Sequence, residues 1–531
     1  MMRIGLKETL LSLLFIGGRS CAALYNSSYN SSYNSSLPII DLGYVKQQAI
    51  EYNQTYDFYH FRNIRYAAPP LGDLRFRKPK PPLSQAGIQN GDIPFVESTC
   101  HQVWLPFMGA APFGDNFGVE DCLYLDVYVP ASVKPGDNVP VLIWVFGGAY
   151  IVGSKEMWGD PAHLIQSSDE PMIYVSFNYR LGAFGWMSPP NVTDIDANIG
   201  LHDSRAAMEW VEKYISKFGG DKGKVTVMGE SAGGGVIMHT ITSNRGEGKK
   251  LPFQQAIVQS AGFYPIRTQY ANQNAQYDKF KKHANCTTLK CLRGAPTEVL
   301  LKANKDILMM LSVVELGAFS PAVDGNYVPD IPMRLLSQGK YHHELKSLIA
   351  SSMGFEASVL FPTPDTVTNS TLDSLINRFY PLAPESLKQQ ALTLYPYQGP
   401  GIPEWLRASA FFGDTVFNCN QIWLAKSFQK SYRYVFNIPP AFHGEDVAYT
   451  FYTGPDAKIA NETTAIIHQK FITNYVTHGE PGCEMGACFP DYGNYGGSAN
   501  ALAMNVTEIK VVRDPWATER CDFLVDLVEY S

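Results

Sequence analysis

Residues 225–235 read VTVMGESAGGG, and at their centre Gly229-Glu230-Ser231-Ala232-Gly233 fits G-x-S-x-G. The pattern alone is weak, since a chain of this length should show it by chance roughly 0.2–0.3 times. Its surroundings add the specificity. A β-branched run leads in and small residues lead out, the pattern of a strand that turns sharply into a helix. A serine at such a turn projects its hydroxyl above the sheet edge, and only small neighbours let the backbone bend so tightly. The N-terminus of the following helix would add a positive dipole end where an oxyanion forms. A purely structural glycine-rich turn is the plainer alternative. An oxyanion also needs amide donors from a second loop, and FGGAY (146–150) offers them without side-chain obstruction. The expected donors are the amides of Gly148, Ala149 and Ala232, although the same glycines would serve a simple strand-to-helix turn.

The elements needed to position such a serine are legible. VPVLIWVFGG (139–148), PMIYVSFNYR (171–180) and KVTVMG (224–229) are apolar runs without polar alternation. That is how strands buried on both faces of a parallel sheet read. AIVQSAG (256–262) is expected as a further strand. Between the second and third runs, residues 200–220 place Ala207, Val211, Ile215 and Phe218 on one helical stripe, with Gly219 as a stop. Strand, helix and strand make a βαβ unit, so the class is α/β, with a large, mostly parallel central sheet flanked by helices.

The bulk of the chain fits an exported globular protein. It has 531 residues, 45% of them hydrophobic and 18% charged, with a net charge of −7 and no basic block. Nucleic acid is therefore not an expected partner, because phosphate binding needs clustered Lys and Arg. Arg3 and Lys7 precede LLSLLFIGG (10–18), an apolar core too short to span a bilayer, and small residues come after it. Residues 1–23 read as a signal peptide, 24–37 as a low-complexity leader containing YNSS three times, and 38–531 as one domain without a linker. Asn26, Asn30, Asn34, Asn53, Asn191, Asn285, Asn369, Asn461 and Asn505 all stand in N-x-[ST] and are glycosylation candidates. If Cys21 leaves with the signal peptide, eight cysteines remain. An even number in an exported chain suggests disulfides, and the lack of C-x-x-C pairs argues against zinc.

Three longer stretches carry a family resemblance. EDCLYLDVYVP (120–130), FGGDKGKVTVMGESAGG (218–234) and FRNIRYAAPPLGDLRF (61–76) are similar, in that family's signatures, to the type-B carboxylesterases and lipases, the cholinesterase-like α/β-hydrolases. Lys222, Asn63 and Arg65 depart from the usual residues of those motifs. Phe146 and Ala149 resemble the fungal secreted members more than many animal ones. The resemblance implies an α/β-hydrolase fold and a catalytic order of serine, acid and histidine. SSMGFEASVLF (351–361), after the apolar LKSLIA, then offers Glu356 as the acid. PPAFHGEDVAYTF (439–451) offers His443 as the base, with Asp446 as a later acid. His202 and His239 lack such a context and read as structural.

The resemblance implies a secreted serine hydrolase of carboxylic esters, a carboxylesterase or a lipase, with a small-molecule or lipid ester as substrate. Ser231 attacks the ester carbonyl, His443 takes its proton, Glu356 orients the imidazole, and water releases the acyl group. Glu230 adds negative potential near the imidazolium. No metal and no organic cofactor are required. Activity should fall as His443 is protonated, near its ordinary value of about 6.5 or somewhat lower. Two alternatives stay open: a biosynthetic acyltransferase using the same triad, and a non-catalytic recognition protein, which would lack one of the three residues.

The resemblance also implies disulfides Cys100–Cys122, Cys286–Cys291 and Cys419–Cys521, which leaves Cys483 and Cys488 for each other, and a salt bridge between Arg75 and Glu120. Residues 101–119, inside the first of these loops, are strongly apolar. Val103, Trp104, Leu105, Phe107 and Met108 either cover the site as a mobile flap that meets lipid, or pack down as core. The tryptophan that binds choline in cholinesterases stands late in this loop. Here the loop's Trp104 stands near its start, which argues against choline esters.

Overall fold

The computed structural model describes residues 36–108, 111, 113–114, 116–265, 267, 269–310, 317, 319–359, 371–396, 404–493 and 499–531. Its centre is an eleven-stranded sheet. In chain order the strands are β1 Glu51–Asn53, β2 Phe58–Arg65, β3 Tyr124–Pro130, β4 Val139–Val145, β5 Ile173–Phe177 and β6 Gly220–Glu230. They continue with β7 Gln255–Gln259, β8 Ser347–Met353, β9 Ser431–Phe436, β10 Asn500–Met504 and β11 Ile509–Arg513. Across the sheet the order is β11-β10-β9-β8-β7-β6-β4-β5-β3-β2-β1. All neighbours from β10 to β5 pair in parallel. The flanks are antiparallel.

The strands expected at the centre of the sheet are those with both faces covered. β4 is buried from Pro140 onward, and β5, β7, β8 and β9 are buried throughout. β6 begins earlier than its apolar run. Gly220 pairs with Val139 before the register shifts and resumes at Val225, so a polar bulge extends the strand outward. The helix read over 200–220 is α1 Ile199–Tyr214 followed by a short 3-10 turn, Ile215–Phe218. Ala207, Val211, Ile215 and Phe218 are buried, and Gly219 ends the element at φ 99°, where a side chain would be strained.

β4 lies between β5 and β6, so the chain leaves β4 to one side and later returns to the other. This is a switch point of an open α/β sheet, and its crevice lies outside the carboxyl ends of the strands. FGGAY comes after β4 there and Ser231 after β6, on neighbouring strands with Gly229 opposite Val145.

All four disulfides are formed: Cys100–Cys122, Cys286–Cys291, Cys419–Cys521 and Cys483–Cys488. Arg75 and Glu120 make a buried two-pronged ion pair at 2.6 and 2.5 Å. The same guanidinium also donates to the carbonyls of Leu292, Arg293 and Ala295. Among the sequons, Asn191 and Asn285 are exposed, while Asn53, Asn461 and Asn505 are half-buried. Asn461 caps the helix Glu462–His478 by accepting from the Thr464 amide at 3.2 Å. Asn26, Asn30, Asn34 and Asn369 lie outside the described residues, as does the signal segment.

Removing one partner of a buried ion pair leaves the other charge uncompensated. Arg75→Met should therefore lower stability by about 3–5 kcal/mol. A urea unfolding midpoint reads this directly, and a midpoint unchanged from wild type would contradict it.

Candidate active site

The nucleophile turn is fixed by crowding. Ser231 takes φ 54° and ψ −121°, a conformation that a residue with a side chain adopts only when its surroundings impose it. A Cβ on Gly233 would lie 2.0 Å from the Val145 carbonyl oxygen, and one on Gly229 would lie 2.8 Å from Gly233. These glycines let α2 (Ala232–Ile241) start directly against β4. The Ser231 amide donates to the Gln259 carbonyl at 2.9 Å. Its own carbonyl accepts from the amides of Gly235 and Gly262, each at 2.9 Å.

His443 and Glu356 reach this serine from strands further along the same edge. Glu356 lies three residues beyond β8 and His443 seven beyond β9. His443 Nε2 stands 2.8 Å from Ser231 Oγ, and Nδ1 stands 2.6 Å from Glu356 Oε2. The carboxylate can only accept from Nδ1, so Nε2 is free to accept from the serine hydroxyl. The structure brings together Ser231, His443 and Glu356 in one line of hydrogen bonds, at distances that permit proton transfer.

Three further groups act around the imidazole. Ser260, which the sequence did not single out, donates its hydroxyl to Glu356 Oε1 at 2.7 Å. The Met353 amide donates to the same oxygen at 2.8 Å, so Glu356 presents Oε2 to the histidine. Ser260 is buried at φ 47°, a strained conformation that its place in VQSAG does not announce. Glu230 is buried beside the serine, its Oε1 3.4 Å from His443 Nε2. Asp446 is buried behind it, accepting from Tyr434 at 2.8 Å and Gln259 at 3.3 Å.

The electrostatics oppose one another. Burial works against a charged His443, but Glu230, Glu356 and Asp446 favour the imidazolium, and the net direction is upward from 6.5. This differs from the sequence expectation of an ordinary or slightly lowered value, because folding gathers Glu230, Glu356 and Asp446 around the imidazole together. Burial in turn pushes Glu230 up to about 8 and Asp446 up to about 7. Glu230 and His443 are thus interdependent: a charged Glu230 favours the imidazolium, and desolvation returns the proton to Glu230 as pH falls. His239 is buried and His202 is half-buried, and among the described residues neither makes a hydrogen bond or ion pair with Ser231, Glu356 or His443. Burial takes them down to about 3 and about 4, in keeping with structural roles.

The loop after β4 presses against the serine, and a Cβ on Gly147 would lie 2.9 Å from Ser231 Cβ. Gly148 and Ala149 have φ 114° and 53° and are partly exposed. Ala232 opens α2, where a helix leaves amides without internal acceptors. Among the described residues, none of these three amides has a backbone acceptor. Of residues 101–119, those described are mostly packed inward, as either reading of a closed loop requires. Val103, Trp104, Leu105 and Met108 are buried, while the Phe107 side chain lies outside the described residues.

A serine, histidine and glutamate joined at the carboxyl edge of this sheet define a serine-hydrolase site of the α/β-hydrolase class. Residues 39–524 match the carboxylesterase family. The chain is 33% identical to carboxylesterase patB of Penicillium expansum, over 92% of this chain and 95% of the relative. It is 32% identical to the secreted triacylglycerol lipase LIP1 of Gibberella zeae, over 74% and 75%. The crystal structure of EstA from Aspergillus niger superposes with a TM-score of 0.79 at 24% identity, over 93% of this chain and 98% of that one, which bears on the fold. The chain belongs to the carboxylesterase family. It is a carboxylic ester hydrolase, so the acyltransferase and recognition alternatives are not favoured. Among the described residues no helix is long and apolar enough to cross a membrane.

Gly233→Ala places a methyl group against the Val145 carbonyl with no room to retreat. It should destabilise the protein by at least about 1–3 kcal/mol. Thermal unfolding of the variant measures the effect, and a Tm equal to that of wild type would refute the crowding argument.

Proposed function

We propose that Ser231 is the nucleophile, His443 the general base and Glu356 the orienting acid of this hydrolase, with the amides of Gly148, Ala149 and Ala232 as its oxyanion hole. The observation that carries the reading is the continuous pair of hydrogen bonds, 2.8 and 2.6 Å, from Ser231 through His443 to Glu356.

The proton transfers follow the two hydrogen bonds on His443. Ser231 Oγ attacks the ester carbonyl as its proton passes to His443 Nε2. The imidazolium is stabilised by Glu356 on Nδ1 and by the negative potential of Glu230 on the Nε2 side. The carbonyl oxygen takes the negative charge and is met by the three amides. His443 gives its proton to the leaving alcohol. Water, activated by the same histidine, then attacks the acyl-serine and frees the acid and Ser231.

We propose further that the enzyme is secreted, with residues 1–23 as signal peptide, 24–37 as a glycosylated leader and 38–531 as one catalytic domain. The sequons, the four disulfides and the secreted lipases among its relatives support this. Contact with a lipid interface through residues 101–119 would require Val103, Trp104, Leu105 and Met108 to leave the core. The proposal is therefore of a carboxylesterase first, with interfacial lipase action to be decided by chain-length preference.

The test is turnover of a p-nitrophenyl ester series, short to long acyl, by wild type and Ser231→Ala, with and without an organophosphate. Wild type should turn over and be stopped by the reagent, while the variant should fold normally and lose at least about a thousandfold in kcat. A folded Ser231→Ala retaining wild-type turnover would refute the assignment.

The pH profile is a second test. Protonated His443 cannot accept the serine proton, so kcat/KM should be low in acid and rise as the imidazole deprotonates. The upward shift of His443 places that rise above 6.5. A profile flat from pH 5 to 8 would count against His443 as general base.

A further inference from the structure

The helical segment that passes the catalytic histidine is interrupted in a way the mechanism has not used. A helix α3, Glu404–Gly413, and a helix α4, Cys419–Ser427, are joined by one π-helical turn, Asp414–Asn418. Such a turn widens the helix by one residue and re-aims the side chains beyond it, at the expense of regular hydrogen bonding. It is found mostly where a side chain has to point somewhere a regular helix would not send it. This one is anchored from inside. Asp414 is buried, and its carboxylate accepts from the Tyr395 hydroxyl at 2.9 Å and from Asn418 Nδ2 at 3.1 Å.

The side chain delivered by the turn is Phe417. Its ring centroid lies 4.3 Å from that of His443, with 46° between the planes, and the residue is 6% exposed. On another side the ring meets Gly262, where a Cβ would fall 2.5 Å from Phe417 Cε1. Gly262 is the residue whose amide holds the Ser231 carbonyl. Phe417 is thus wedged between the imidazole and the backbone that supports the nucleophile turn, with Phe412 edge-on at 6.3 Å.

Several polar groups also surround His443. Glu356, beyond β8, meets Nδ1, while Ser231 and Glu230, at the end of β6, meet Nε2. Asp446 acts on it electrostatically from the start of the next helix, and Glu445, half-buried, lies two residues along the same loop. The ring of Phe417 is an apolar contact in this shell. It makes no hydrogen bond that would compete for the proton.

We propose that Phe417 is a positioning residue for the general base: the π-helical turn sets its ring against His443 so that the imidazole stays dry and aimed at Ser231 during proton transfer. This rests on the reading of Ser231 and His443 as nucleophile and base. It has a directional consequence. Water admitted beside His443 would solvate the imidazolium and relieve the burial that opposes its protonation. The histidine would then hold its proton to higher pH, and a less confined ring would align with Ser231 less often.

The test is kcat/KM against pH, from 5 to 9, on a short p-nitrophenyl ester, for wild type, Phe417→Ala and Phe417→Leu. Each preparation is titrated with an organophosphate to count competent serines. In Phe417→Ala the acid limb should move up by about half to one pH unit, with a plateau kcat lower by about tenfold. Phe417→Leu keeps the space apolar and should hold the limb at the wild-type position. If Phe417→Ala does not fold, Phe417→Gln against Phe417→Met makes the comparison at similar volume, the limb rising only with Gln. A limb that stays in place or moves down in the Ala or Gln variant overturns the proposal, whatever happens to the rate. A limb that moves equally in the Leu or Met variant also overturns it. Failure of the underlying reading looks different, because wild type itself would then take up no organophosphate.

Discussion

The site depends on one backbone constraint, the conformation of Ser231 at φ 54° and ψ −121°. Such a residue is strained, at a cost of order 1–3 kcal/mol that its surroundings must offset. They do so through glycines that admit no side chain and through hydrogen bonds on both the amide and the carbonyl of the serine. The result is a hydroxyl standing at the sheet edge with the first amides of α2 directly behind it. The proposed nucleophile and one proposed oxyanion donor are adjacent because the chain has no room to separate them.

The electrostatic arrangement comes from placing a proton acceptor in a buried crevice. An imidazole there resists charging, yet the reaction needs the imidazolium for the life of the tetrahedral intermediate. Glu356 answers this from Nδ1, and Ser260 and the Met353 amide fix which of its oxygens does so. Glu230 and Asp446 act at longer range and are themselves pushed up by burial. Their charge is therefore greatest above the pH at which they shed their own protons, so the field at His443 depends on pH as well as on geometry.

Much of this was legible in the chain. The continuous apolar runs gave β4, β5, β6 and β7 because strands covered on both faces lose their polar alternation. The α1 stripe ending at Gly219 was visible for the matching reason in helices. Glu356 and His443 were recognisable through the motifs around them, which no periodicity would have supplied. Ser260 escaped because its role rests on a positive φ and on a partner 96 residues away. Phe417 escaped because a π-helical turn leaves no mark in a sequence that otherwise reads as one helix. The direction of the His443 shift was missed for a related reason: it sums charges that only the folded chain assembles. Residues 101–119 could be read either as flap or as core, since apolar side chains look alike in both and a closed flap is packed as core is.

The loop after β4 shows what the rest of the architecture is for. On the proposed reading its amides must face an oxyanion before one exists, because donors that had to reorganise during the reaction would lose most of their effect. The segment is a loop with positive φ at Gly148, Ala149 and Tyr150, closed on itself by the Ile151 and Val152 amides, which both donate to the Gly148 carbonyl at 3.0 Å. It is also held from outside. Gln102, inside the Cys100–Cys122 loop, bonds both the amide and the carbonyl of Gly153, and the Val103 amide reaches the Ile151 carbonyl at 3.1 Å. The Tyr150 hydroxyl crosses to the Gly262 carbonyl at 2.8 Å, and Tyr179 holds the Phe146 carbonyl at 2.8 Å. Beyond it, Lys155 is buried against Asp126 on β3 at 2.8 Å. The disulfide Cys100–Cys122, the Arg75–Glu120 pair and the Lys155–Asp126 pair thus surround the loop that carries Gly148 and Ala149 and restrain it from outside.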